Sequence, residues 1–106
     1  MTSDAARFTT ARPDRKKGVT LPRTTYEYLR NRILSEIRNA DEVTTAQLIE
    51  RMHNVEPGMP NVENVILHVK LDLECRGYLQ SKPSSTNPRL HVIRLSRKGA
   101  RMAASI

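Results

Sequence analysis

Residues 60–77 constrain the fold of this chain most, because their apolar pattern fits two different elements. Apolar and polar residues alternate from Leu67 to Glu74, a pattern typical of a half-buried β-strand. The same stretch also places a set of apolar residues on one face of a helix. That set is Val62, Val65, Ile66, Val69 and Leu73. The choice between strand and helix decides which fold the whole chain can adopt.

Length, termini and composition favour the helix. About 16 residues separate Pro60 from Gly77, whereas most strands hold about five or six. Pro60 and Asn61 suit the start of a helix, and Gly77 suits its end. Most of the remaining residue types are good helix formers. We therefore predict a long third helix at about residues 60–76, with apolar side chains on two of its sides.

Two helices are predicted before this one. The segments TTYE and TTAQ, which begin at Thr24 and Thr44, each match the capping-box pattern at the start of a helix. Apolar residues at helical spacing follow each of them. The first two helices are therefore predicted at about 24–39 and 44–54.

A β-hairpin is predicted after the third helix, because short alternating segments flank a turn-forming stretch there. Its strands are expected at about 78–82 and 89–95, with Leu90, Val92 and Leu95 as the alternating apolar residues of the second strand. Ser96 can then cap a short C-terminal helix, RKGARMAA, although Gly99 disfavours a helix there. The predicted class is α+β.

Residues 1–22 are polar and basic, and we predict that they form a flexible N-terminal arm before a domain at 23–106. The large apolar residues of the arm are Phe8, Val19 and Leu21. So few apolar side chains bury too little surface to offset the entropy of ordering the segment.

Charge is segregated along the chain, whose net charge is +7. Residues 75–106 carry seven Lys or Arg and no acid, and residues 1–24 carry six Lys or Arg against two Asp. Residues 25–74 carry nine acids against five bases. Basic segments favour contacts with nucleic-acid phosphates, because each contact releases condensed counterions.

The sequence carries no motif for a membrane span, a metal site or catalysis. No apolar run could span a bilayer and no signal peptide is recognisable, so a cytoplasmic location is expected. Cys75 is the single cysteine, and its spacing to His53, His68 and His91 fits no metal site. No catalytic arrangement is visible, so we expect neither an enzyme nor a cofactor.

The order of helix, helix, longer helix and hairpin resembles a winged-helix domain, in particular small bacterial regulators of the MarR and PadR type. Three segments carry the resemblance: VTTAQLIERM, LDLECRGYL and IRLSRKGARMA. Leu73, Gly77 and Tyr78 match the Leu-x-x-x-Gly-hydrophobic pattern that ends the third helix of such domains. The resemblance covers residues 24–104.

What the resemblance implies is binding to double-stranded DNA, with the third helix in the major groove and the hairpin, or wing, on the backbone or minor groove. Asparagine can read adenine there, and lysine and arginine can contact phosphate. The implied DNA-binding residues are Asn61, Asn64 and His68 on the third helix, Lys82, Arg89, His91 and Arg94 on the wing, and Arg12, Arg15, Lys16 and Lys17 in the arm. The function implied is that of a small transcriptional regulator.

The third helix departs from this pattern on the side that would face DNA. Leu67, Leu71 and Cys75 lie there, and Glu63 and Glu74 flank them and would repel phosphate. With Asp72 these acids outnumber Lys70 and Arg76, so the third helix is net acidic. Three explanations stay open: the leucines pack within the domain, they contact thymine methyl groups, or they form a seam for a homodimer or another protein. Under the last explanation, the chain would be a protein-interaction module with little or no DNA binding.

Overall fold

The structure, a computed structural model, describes residues 7–12, 18–52, 61–84, 86, 87 and 89–106. The helices in these ranges are α1 (Arg23–Ala40), α2 (Thr45–Arg51), α3 (Val62–Cys75) and α4 (Arg97–Ala104). The strands form two antiparallel hairpins, β1 (Arg7–Thr9) with β2 (Thr20–Pro22), and β3 (Leu79–Pro83) with β4 (His91–Leu95). The predicted α+β class is confirmed, but a hairpin precedes the three helices and the wing. Within the described ranges, none of the helices is both long and apolar enough to cross a membrane.

The ambiguous stretch is a helix, and its C-terminal end shows why. Gly77 has a φ of +85°, which glycine adopts without strain. The Tyr78 N–H donates to the Leu73 carbonyl at 2.9 Å, and the Gly77 N–H donates to the Glu74 carbonyl at 3.1 Å. These two bonds form a Schellman motif, which satisfies the last carbonyls of α3 and turns the chain into the wing.

The helix starts agree with the predictions only in part. At α2 the capping box is formed, because the Thr44 hydroxyl accepts from the Gln47 N–H and the Gln47 side chain accepts from the Thr44 N–H. At α1 the predicted cap by Thr24 is wrong, since β2 runs directly into the helix and Pro22 takes the N-cap position. Asn61 occupies the N-cap position of α3 but makes no side-chain capping bond. The predicted end of the second helix and start of the third fall in residues 53–60, outside the described residues.

The core lies between the helices and the inner face of the wing, β3–β4. α1 contributes Leu29, Ile33, Leu34 and Ile37, all fully buried. They belong to one cluster with Leu48, Met52, Ile66, Val69, Leu73, Leu79, Ile93 and Ala103. A fully buried aliphatic side chain contributes about 1.5–3 kcal/mol, so this cluster is what fixes α3 and the wing relative to α1.

The wing is anchored to the core through Ile93. The Ile93 N–H donates to the Val43 carbonyl at 2.6 Å, and the Val43 N–H donates to the Ile93 carbonyl at 3.1 Å. Ile93 and Leu95 therefore face the core, and Val92 is buried on the opposite face of the strand. Leu90, predicted as an apolar residue of this strand, precedes β4 and is 45% exposed.

The N-terminal segment forms the first hairpin, which corrects the predicted flexible arm for residues 7–12 and 18–22. Phe8 pairs with Leu21 across β1 and β2, and the Thr10 N–H donates to the Val19 carbonyl at 2.9 Å. Leu21 is buried, and Phe8 and Val19 pack against the core cluster. These few apolar side chains suffice to order the segment because α1 and α3 provide a surface on which they are buried. The hairpin therefore belongs to the same domain.

α4 is a helix of eight residues, RKGARMAA, as predicted for this segment. Ser96 caps it as expected, since its hydroxyl accepts from the Gly99 N–H at 3.0 Å. The same hydroxyl donates to the Gly77 carbonyl at 2.6 Å. The cap of α4 is therefore joined directly to the end of α3.

Candidate nucleic-acid interface

The outward side of α3 is apolar but only partly open. Leu67, His68 and Leu71 are half-buried, whereas Asn64 and Cys75 are exposed. Neither leucine belongs to the core cluster. The predicted protein-binding seam of Leu67 and Leu71 is therefore less accessible than a stripe of exposed leucines would be.

Ion pairs remove most of the negative charge from α3. Lys70 Nζ lies 3.0 Å from Glu74 Oε2, and Arg76 Nε lies 2.9 Å from Asp72 Oδ1. Glu63, in the first turn, is the remaining acid, and it makes no ion pair with another described residue. α3 and Arg76 together still hold three acids against two bases, and the ion pairs place the unpaired negative charge at Glu63.

The wing presents cations at its end. Lys82, Arg89 and His91 are exposed, and the turn between the strands is closed by Asn87, whose Oδ1 accepts from the Arg89 N–H at 3.2 Å. Arg94 lies further down the strand and is half-buried, with Nη2 3.5 Å from Asp41 Oδ1. Because Asp41 is 78% exposed, that pair is a weak surface contact. The candidates on the wing thus share one hairpin, with Arg89 in the turn and His91 and Lys82 close to it.

A buried carboxylate joins the first hairpin to α3. Asp72 is fully buried and accepts hydrogen bonds from the Tyr26 hydroxyl, from the Ala11 N–H at 2.7 Å and from Arg76 Nε at 2.9 Å. Burial, together with the hydrogen bond and negative charge of Asp72, raises the pKa of Tyr26 above its ordinary range. Tyr26 therefore remains a neutral donor to Asp72 under physiological conditions.

Phe8 adds a second link between the hairpin and the helices. Its ring stacks on Tyr26 with centroids 4.0 Å apart. The guanidinium groups of Arg76 and Arg23 lie over the same ring, at 4.8 Å and 5.2 Å from its centroid. Burial opposes the charge on Arg76, but the hydrogen bond and charge of Asp72 outweigh it and raise the pKa of Arg76. The hairpin is thus held by stacking, cation–π contacts and one buried charge.

Sequence reasoning missed the role of Asp72, which positions the first hairpin against α3. It counted Asp72 only among the acids of α3. Its spacing of four residues from Arg76 was a visible signal for an ion pair. The other two donors, Tyr26 and Ala11, lie 46 and 61 residues away along the chain. No sequence pattern links residues at those separations.

The predicted DNA-binding residues of α3 and the wing lie within the described residues, and so does Arg12 of the N-terminal segment, which is half-buried. Asn61 and Asn64 are exposed at the start of α3, and His68 follows one turn later. The wing carries the second group. Arg15, Lys16 and Lys17 lie in residues 13–17, outside the described residues.

Comparison with solved structures identifies the fold. A mutant MarR from E. coli, in a crystal structure with operator DNA, matches this chain with a TM-score of 0.57 and 19% sequence identity. The match covers 78% of this chain and 60% of that one. The predicted MarR-like winged-helix fold is therefore confirmed.

Comparison by sequence gives the family. No curated protein matches the chain. A family described as a family of unknown function, DUF6958, matches residues 7–90, which run from the start of β1 to the turn of the wing. The chain belongs to the DUF6958 family.

Proposed function

We propose that this protein binds double-stranded DNA as a small transcriptional regulator, with its affinity supplied by the wing and the basic N-terminal segment. The observation that carries the proposal is the charge of the wing. Lys82 and Arg89 are exposed near its turn and make no ion pair with another described residue. The MarR structure with the same fold was solved on operator DNA. A rigid hairpin with free cations can neutralise phosphates without first losing a protein ion pair.

α3 would then orient the protein on DNA and contact base edges, but it would not add positive charge. Its exposed Asn61 and Asn64 can donate to and accept from base edges, and His68 adds a further polar group one turn on. Leu67 and Leu71 would face thymine methyl groups, which are apolar. Glu63, the unpaired acid of α3, would oppose phosphate contacts at the first turn, so the attraction to the backbone would have to come from the wing and the N-terminal segment.

The first hairpin would hold the remaining basic residues beside α3. The Ala11 N–H is bonded to Asp72 of α3, and Arg15, Lys16 and Lys17 follow within six residues along the chain. These cations therefore start from a fixed point on the domain rather than from a free tail. A short tether raises the local concentration of charge near bound DNA.

The proposal is tested by removing the two free cations of the wing. The double variant Lys82→Gln with Arg89→Gln should bind two unrelated duplexes more weakly by the same factor, because phosphate contacts carry no sequence information. The slope of log K against log salt should become shallower by about 1.8, at about 0.9 per phosphate contact. Fluorescence anisotropy across a salt series measures both quantities.

A matched control removes the same charge from α4. Arg97 and Arg101 are both exposed, so Arg97→Gln with Arg101→Gln lowers the net charge equally, at another place in the fold. The control should keep the salt slope of the unmodified protein. Equal losses in both double variants would mean that net charge, and not the wing, drives the binding.

A further inference from the structure

A small cleft lies where the first hairpin meets α1 and the end of α3, on residues that the proposed DNA contacts do not use. Its volume is about 130 Å³. Three arginines line it: Arg23 and Arg30 from α1, and Arg76 from just beyond α3. The walls between them are aromatic, from Phe8, Tyr26 and Tyr78. We call this site the arginine cleft.

The charges of the arginine cleft are not balanced within the described residues. Asp72 neutralises Arg76, but Arg30 donates its Nε only to the neutral side chain of Asn31, at 3.0 Å. Arg23 makes no ion pair with a described residue, and its contact is with the Phe8 ring. Glu27 is the one acid among the lining residues, and no ion pair joins it to either arginine. The cleft therefore holds two guanidinium groups without a carboxylate partner.

The aromatic rings of the cleft position cations instead of offering a face to a ligand. Phe8 stacks on Tyr26 and also carries the guanidinium groups of Arg23 and Arg76. Lys98 Nζ lies 4.5 Å from the centroid of the Tyr78 ring and donates to the Arg76 carbonyl. A flat aromatic ligand would have to displace these contacts. An oxyanion would keep them, because a guanidinium held over a ring still has N–H donors at its edge.

We propose that the arginine cleft binds a phosphate group. Its volume holds one tetrahedral oxyanion and little more. Arg23, Arg30 and Arg76 line the cleft from two elements, and several guanidinium groups match the three free oxygens and second charge of a phosphate monoester better than the two oxygens and single charge of a carboxylate. A small phosphate monoester fits this description. A phosphodiester of the DNA backbone, with two free oxygens and one charge, is the other source that the test separates. The site stands independently of the proposed wing contacts.

The test is a titration of the full chain with inorganic phosphate, at constant ionic strength held with sodium chloride. The side-chain Nε–Hε signals of Arg23, Arg30 and Arg76 should shift and saturate in nitrogen–proton NMR spectra. Arg101, exposed on α4 and outside the cleft, should stay unshifted. The variants Arg30→Gln and Arg23→Gln should each weaken phosphate binding about tenfold, an effect of about 1.4 kcal/mol, whereas Arg101→Gln should not change it.

Two further ligands identify the source of the phosphate. Methyl phosphate binding with little response to dimethyl phosphate would point to a small ester, because only the monoester carries a second charge. Equal binding of dimethyl phosphate, with displacement by duplex DNA, would point to the DNA backbone. Shifts that rise without saturation, or that Arg30→Gln and Arg23→Gln leave unchanged in folded protein, would overturn the proposal. If the protein binds phosphate in the arginine cleft but does not bind DNA, the proposed function is contradicted and the cleft proposal is not.

Discussion

Replacing Asp72 with alanine is expected to lower the free energy of unfolding by about 2–6 kcal/mol, from two donors that lose their buried acceptor. The loss is large because Asp72 is fully buried and serves three donors at once. Without it, the Tyr26 hydroxyl and the Ala11 N–H lose their acceptor in a dry site, at about 1–3 kcal/mol for each unsatisfied group. The first hairpin should then detach from α3.

Urea unfolding measures the loss, and amide hydrogen exchange locates it. Protection should fall at Ala11, bonded to Asp72, and at Thr10, bonded to Val19 across the hairpin. Asp72→Asn is the matched variant, since its amide oxygen still accepts from Ala11, and it should lose less stability than Asp72→Ala. Full protection at Ala11 in a stable Asp72→Ala protein would contradict the role assigned to this carboxylate.

Replacing Gly99 with alanine is expected to destabilise the protein by about 2 kcal/mol or more, within the usual range for overpacking. A β-carbon at Gly99 would lie 2.0 Å from the backbone oxygen of Tyr78, so α4 would have to move away from the end of α3. Glycine to alanine within a helix normally gains about 1 kcal/mol. A loss of stability would therefore show that the close approach of α4 to Tyr78, and not helix propensity, determines which residue is tolerated at position 99.

Gly77 is the natural comparison for Gly99, because the same substitution meets a different obstacle there. Nothing lies within 4 Å of an added β-carbon at Gly77, but its φ of +85° strains any other residue. Gly77→Ala should cost about 1–2 kcal/mol, from left-handed strain alone. Thermal unfolding of both variants shows which substitution lowers the stability more. A Gly99→Ala protein as stable as the unmodified one would mean that α4 does not pack as described.

Local signals in the sequence predicted the helices and the wing well. The capping box at Thr44 and the glycine stop at Gly77 were both found where expected, because each depends on residues a few positions apart. Gly99, which weakened the prediction of a last helix, is instead the residue that lets α4 form against Tyr78. Glycine is required at this position because of a contact with another element, which local helix propensity cannot reveal.

The first hairpin and the charge of α3 could not be predicted for the same reason. Phe8 is one apolar residue in a polar segment, and its partner Tyr26 becomes visible only in the folded chain. Counting acids on α3 suggested repulsion of DNA, whereas Asp72 is buried and Glu74 is paired with Lys70. The positive charge of the wing was predictable, since residues 75–106 contain no acid and the wing exposes its side chains.

Binding of the unmodified protein to duplex DNA across a salt series tests the central claim most directly. Phosphate contacts by the three cations of the wing alone, Lys82, Arg89 and Arg94, predict a slope of log K against log salt of about −3. Added contacts from Arg15, Lys16 and Lys17 predict a slope of about −5. A slope in this range, alike on unrelated sequences, is the expected result. Absence of duplex binding at about 50 mM salt, in a sample shown to be folded, would contradict the account.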